Sequence, residues 1–216
     1  MSVASVTAAT CAPLSIVDPT RTPASKADLR AAIDRAYQRV MGKAPTATLL
    51  DNLTAQASLE TGGGAQMYNF NFGGIKGASP AGQTAQCMTH EVVGGQTVTV
   101  RQGFRAYGSI DAGADDYVRV LKKSFGAALG KAELADVGGF AHALKQAGYY
   151  TASESDYANA LRSQTGTAGA AAIQATPPDT SLDKFFDSAS LTRICNALSE
   201  SALRIASPQE QDSAGA

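Results

Sequence analysis

LLDNLTAQASLETGGGAQMYNFNFGGIK, residues 49–76, begins with helical periodicity and breaks at three consecutive glycines. Leu49, Leu50, Leu53, Ala57 and Glu60 recur at the three-and-four spacing of one helical face, so a single carboxylate ends an otherwise apolar stripe. Burial disfavours the charged form of a carboxyl group and raises its pKa. A carboxyl still protonated near neutral pH is what cleavage of a glycosidic bond requires of its general acid. Gly62, Gly63 and Gly64 then stop the helix and leave Glu60 at its rim. The alternative is a helix-end glutamate turned to solvent.

Helical patterns dominate on both sides of this stretch. Upstream, Ser25 is placed to cap a helix to about Met41, with Leu29, Ile33, Ala36, Tyr37 and Val40 as its stripe and Gly42 as its stop. Thr46 caps the Glu60 helix after Pro45 interrupts the chain. Downstream, residues 68–82 read as a loop dense in Gly and Asn. Cys87–Val100 alternates like strand, with Gly94 and Gly95 placed to turn a hairpin. The stretch 102–108, QGFRAYG, reads as a loop, and Ser109 opens a helix through Ile110, Ala114, Tyr117, Val118 and Leu121. Short helices are expected from Asp136 or Gly138 to Gly148 and from Asp156 to Arg162.

The ends are of another character. Residues 1–24 are rich in Ala, Ser, Thr and Pro and read as a flexible segment. A compact domain is expected over 25–163, a small-residue linker ending in Pro-Pro over 164–180, an amphipathic helix over 181–207 and a polar, disordered tail over 208–216. The fold class predicted from the pattern is mainly α, with one small β-hairpin inserted.

Composition narrows the function. A net charge of -1, with basic residues scattered, gives no electrostatic footprint for nucleic acid. No apolar run approaches the roughly 20 residues of a membrane-spanning helix. The N-terminus lacks the basic and apolar regions of a secretory signal peptide. Cys11, Cys87 and Cys195 form no metal-binding spacing, and with only His90 and His142 beside them neither a zinc site nor a Ser-His-Asp triad is expected. No cofactor is called for.

LTAQASLETG, NFGGIKG, the Thr89-His90-Glu91 step on the hairpin, GFRAYGS, ADDYVRVL, FAHALKQAGYYT and YANAL follow one another in the chain. This series resembles the glucosaminidase-type peptidoglycan hydrolases of glycoside hydrolase family 73, over about residues 46–163. The resemblance implies a lysozyme-like helical domain with a small β-lobe, and cleavage of the β-1,4 glycan backbone of peptidoglycan. It implies Glu60 as general acid, Glu91 as second carboxylate, Tyr149 as the tyrosine of the family's AGYAT motif, with Tyr150 competing for that role, and Asn71 beside the cleft. Glu91 as a solvent-facing strand residue, Tyr149 as packing and Asn71 as a loop-holding residue are the plainer alternatives. Members usually continue the acid motif as Gly-Trp-Gly, whereas this chain has three glycines and no tryptophan. Sugar-stacking therefore falls to Tyr68, Phe70 and Phe72. Phe104, Tyr107 and Tyr117 read as core, with Tyr107 the one admitted to the cleft.

The resemblance places the action at the bacterial cell wall, in the periplasm or outside the cell. Without a visible signal peptide, delivery by specialised secretion, a flagellar system or a phage lysis pathway is expected. The C-terminal helix either packs back on the domain or docks on a delivery apparatus, a cognate inhibitor or a second copy of itself. A muramidase or lytic transglycosylase on the same scaffold is the nearest rival, although the Gly-Leu-Met-Gln stretch usual in the latter is missing. A non-catalytic wall-binding module is the rival from another class.

Overall fold

Ser25, Thr46, Ser109 and Asp136 each accept a hydrogen bond from a backbone N–H in the first turn of the helix that follows, and these caps fix where helices begin. The computed structural model describes residues 13–93, 96–150 and 152–165, with the backbone alone for 89–93, 96 and 97. Gly94, Gly95 and the linker, helix and tail expected beyond Thr165 lie outside the described residues. The elements are β1 (Ser15–Val17), α1 (Lys26–Met41), α2 (Ala47–Glu60), β2 (Gln83–Val93), β3 (Gln96–Arg105), α3 (Ile110–Ser124), α4 (Gly126–Glu133), α5 (Val137–Gln146) and α6 (Glu154–Thr165). The described protein is thus mainly helical with a small three-stranded sheet.

In α1, Ser25 and Asp28 form a capping box, and Gly42 closes the last turn in the left-handed region at φ 72°. The helix buries Leu29, Ala32, Ile33, Ala36 and Tyr37, and its exposed Arg35 and Arg39 pair with Asp111 and Asp115 of α3. The single apolar face expected of α2 is only part of what is found. The helix is buried from Asn52 through Leu59 on every side, packed among α1, α4 and α6. A helix enclosed in this way must satisfy its polar side chains internally. Asn52 donates to Ala132 O at 2.9 Å, Thr54 donates to Leu50 O at 2.6 Å, and Gln56 accepts from the Tyr117 hydroxyl at 2.6 Å.

β2 and β3 pair antiparallel from Thr84↔Arg105 to Val93↔Gln96, so the hairpin is longer than its alternation suggests and takes in residues 102–105, expected as loop. The third strand comes from a segment expected to be flexible. Ser15, Ile16 and Val17 pair parallel with Gln83, Thr84 and Ala85. From there to α1 the chain is bonded to the domain, Thr22 N donating to Met67 O at 3.0 Å and Ala24 N to Gly64 O at 3.2 Å. Its partners lie far away in sequence, which local composition cannot register. α4 is also unannounced by pattern: it carries two glycines and lacks a side-chain cap, and it is held by burying Ala128, Leu129 and Ala132. No helix of the described residues is long and apolar enough to cross a membrane.

Candidate active site

α2 ends at the edge of a cleft of about 960 Å³ that lies between the glycine turn and the sheet. Glu60, Thr61 and Gly62 line it from the helix end, Tyr68, Asn69 and Asn71 from the following loop, Ala85 to Met88 from β2, and Phe104 and Arg105 from β3. Pro19 lines it from the N-terminal segment. The turn is compact: Gly62, Gly63 and Gly64 all take positive φ, between 55° and 86°. A Cβ on Gly64 would fall 2.0 Å from Ala24 O, so glycine is required there by a backbone crossing.

Glu60 is half-buried, and its carboxyl is pushed up to about 7 by burial, partly offset by a hydrogen bond from Tyr157. That bond, Tyr157 Oη to Glu60 Oε1, is 3.0 Å long. Tyr157 comes from α6, and its place in YANAL is the sequence signal that points to it. Its ring stacks on Tyr150 at 3.8 Å and 12°, and Tyr150 donates to Ala141 O at 2.9 Å. Tyr150 is thus a support behind Tyr157 with no place in the cleft lining.

Burial first, and then the charge of nearby Glu60, push the Tyr149 hydroxyl well above the ordinary range. Its ring meets Phe125 edge-on at 5.2 Å. A Cβ on Gly73 would come within 2.9 Å of its hydroxyl oxygen, which has no hydrogen-bond partner among the described residues. Tyr117, also near Glu60, donates to Gln56 and is stacked on Phe72 at 5.9 Å. Glu60 therefore sits over a layer of tyrosine hydroxyls and one glutamine, with its outer edge at the cleft.

The remaining expected site residues divide. Tyr68, 43% exposed, stands in the cleft. Asn71 lines it too, but its side chain is bonded throughout: Nδ2 donates to Ile75 O at 2.8 Å and Arg105 O at 3.0 Å, and Oδ1 accepts from Ile75 N at 2.8 Å. It holds the loop against β3. Phe72 is fully buried against Tyr117 and offers no face to a sugar. Phe70 packs on the core and on the far side, beside Ile110 and Arg35, away from the cleft. Tyr107 and Phe104 exchange the places expected of them. Tyr107 is buried, donating to Asp116 Oδ2 at 2.7 Å, while half-buried Phe104 lines the cleft. Glu91 belongs to β2, its backbone opposite Val98.

Comparison with known proteins gives the arrangement its family. The family described as mannosyl-glycoprotein endo-beta-N-acetylglucosaminidase, the glucosaminidase family, matches residues 37–167. Among solved structures, a peptidoglycan hydrolase mutant from Sphingomonas sp. A1 is similar at 28% identity and a TM-score of 0.50, over 67% of this chain and 94% of that one. The catalytic domain of the autolysin Auto from Listeria monocytogenes has the same fold, at 19% identity and a TM-score of 0.51, over 68% of this chain and 85% of that one. The glycoside hydrolase domain of FlgJ from Salmonella typhimurium aligns at 26% identity and a TM-score of 0.45, over 65% and 92% of the two chains. No curated protein sequence matches. The family match spans more than half of the chain and encloses Glu60 and its tyrosines, so the protein belongs to the glucosaminidase family and is a glycoside hydrolase.

Proposed function

We propose that the protein hydrolyses the β-1,4 glycan backbone of bacterial peptidoglycan as an endo-β-N-acetylglucosaminidase, on a lysozyme-like fold, with Glu60 as general acid. The observation that carries this reading is a single half-buried carboxyl, raised to about 7, at the edge of a cleft large enough for sugar rings. The likeness to the Sphingomonas peptidoglycan hydrolase supports the substrate.

The chemistry follows from the site. Cleavage passes through a sugar cation, so the departing oxygen must gain a proton as the bond to the anomeric carbon breaks. Protonated Glu60 supplies it and becomes a carboxylate, which the Tyr157 hydroxyl steadies by donating to Oε1. Water adds to the anomeric carbon, and its proton leaves to a base. We assign that second role to Glu91, which stands on β2, the strand whose residues Ala85 to Met88 line the cleft. Tyr149, buried beside Glu60 and outside the cleft lining, is assigned to supporting the site from behind that carboxyl. The expected helix over 181–207 is assigned to docking on a delivery apparatus or an inhibitor, and the site of action to the cell wall.

Digestion of purified peptidoglycan by wild type and Glu60→Gln, followed by mass spectrometry of reduced muropeptides, tests the proposal. Fragments ending in reduced GlcNAc from wild type, with a folded and silent variant, support it. Reduced MurNAc ends assign a muramidase, and 1,6-anhydro ends a transglycosylase. A wild type that only pellets with sacculi is a wall-binding module.

A further inference from the structure

Residues 18–24 precede the family match, put Pro19 in the cleft lining and bond as a strap to the loop that carries Tyr68. Arg21 is exposed yet engaged through its guanidinium. Its Nη2 donates to Ala65 O at 2.6 Å and to Gln66 Oε1 at 2.7 Å, and its guanidinium lies 5.8 Å from the centre of the Tyr68 ring. Its backbone bridges to Tyr68 as well. The strap also grips the turn after Tyr68. Asn69 and Phe70 take φ of 47° and 52°, a left-handed backbone that residues with side chains adopt only when their surroundings impose it. Thr20 N donates to Asn69 Oδ1 at 3.0 Å, Asn69 N donates to Thr20 O at 2.8 Å, and Phe70 N donates to Thr22 Oγ1 at 2.8 Å. Gly64 admits the strap's Ala24 at a distance no side chain would allow.

These contacts converge on one ring. Tyr68 is a large exposed aromatic in the cleft, and the strap fixes both its backbone and its position. We infer that Arg21 is a positioning residue: it holds Tyr68 as the face on which an N-acetylated sugar of the glycan stacks, so that the strap sets the grip of the cleft. The assignment rests on the glycosidase reading above. Aromatic rings bind sugars through their faces, and a cation held against the ring restricts it to one orientation before the sugar arrives.

Two measurements on the full chain test it. The first is calorimetric binding of tetra-N-acetylchitotetraose to the Glu60→Gln protein, which binds without turnover. Arg21→Ala is expected to weaken binding about three- to tenfold at unchanged Tm, and Arg21→Lys to restore part of it, in keeping with the modest strength of an exposed cation against a ring. Tyr68→Ala should weaken binding at least as much, and adding Arg21→Ala to it should change nothing further. Unchanged binding in Arg21→Ala, or losses that simply add, overturns the inference. The second is hydrogen exchange over residues 61–68 without glycan. Faster exchange confined to that stretch in Arg21→Ala supports the positioning role, and unchanged exchange overturns it. Exchange reads the strap even if muropeptide analysis finds no hydrolysis, so the two proposals fail separately.

Discussion

Tyr149 carries a buried hydroxyl with no partner among the described residues, although a phenylalanine would fill the same space beside Phe125 and Gly73. A buried hydroxyl left unpaired costs roughly 1–3 kcal/mol. Tyr149→Phe is therefore expected to leave stability unchanged or raise it by about 1 kcal/mol in urea unfolding, while hydrolysis falls. An unaltered rate would make Tyr149 plain packing. Glu60 gives a prediction of opposite kind. Its folded pKa of about 7 lies above the ordinary 4.5, so the folded protein holds a proton that the unfolded chain releases between those values. Stability from this group is complete below about pH 4.5 and is lost as pH rises to about 7, a slope that Glu60→Gln should lack. Hydrolysis by a protonated Glu60 should decline as pH rises through about 7. Glu60 was legible only in part, because helical periodicity put it on the apolar face while leaving a solvent-turned glutamate equally open. The fates of Phe72, Phe104 and Tyr107 were not legible, since an aromatic ring has the same sequence signature in a core as in a cleft.

Among the elements, the glycine turn after α2 discriminates most sharply between two neighbours. A Cβ on Gly64 would collide with Ala24 O at 2.0 Å, whereas one on Gly63 meets nothing within 4 Å and carries only the strain of φ 69°. Gly63→Ala should cost about 1–2 kcal/mol, the price of a left-handed alanine. Gly64→Ala should cost distinctly more and should also loosen the strap, which urea titration and hydrogen exchange will separate. Helices were legible wherever a cap preceded an apolar repeat, as at Ser25, Thr46, Ser109 and Asp136. β1 and α4 were not. A three-residue strand owes its existence to Gln83–Ala85, and α4 owes its own to the surface it buries, and neither partner is local. The bond from Tyr157 was not legible for the same reason, because it reaches Glu60 from the other end of the domain.

At the scale of the whole molecule, the described residues hold a continuous core from Leu29 to Leu161, with Glu60 and its tyrosines inside one family match. For a chain ended at residue 178, unchanged stability with lost delivery would favour a docking role for the helix expected over 181–207. A lowered Tm in that chain would instead mean that the helix expected over 181–207 packs on the domain. The parallel pairing of β1 with β2 has a consequence in time. Residues 15–17 leave the ribosome before α1, yet their partners at 83–85 follow two helices later, and strand pairings of long reach form slowly. A nascent or half-threaded chain holds its acid helix before it has a finished cleft. The sheet side of the cleft closes only after the chain has emerged far enough to fold back on its own beginning.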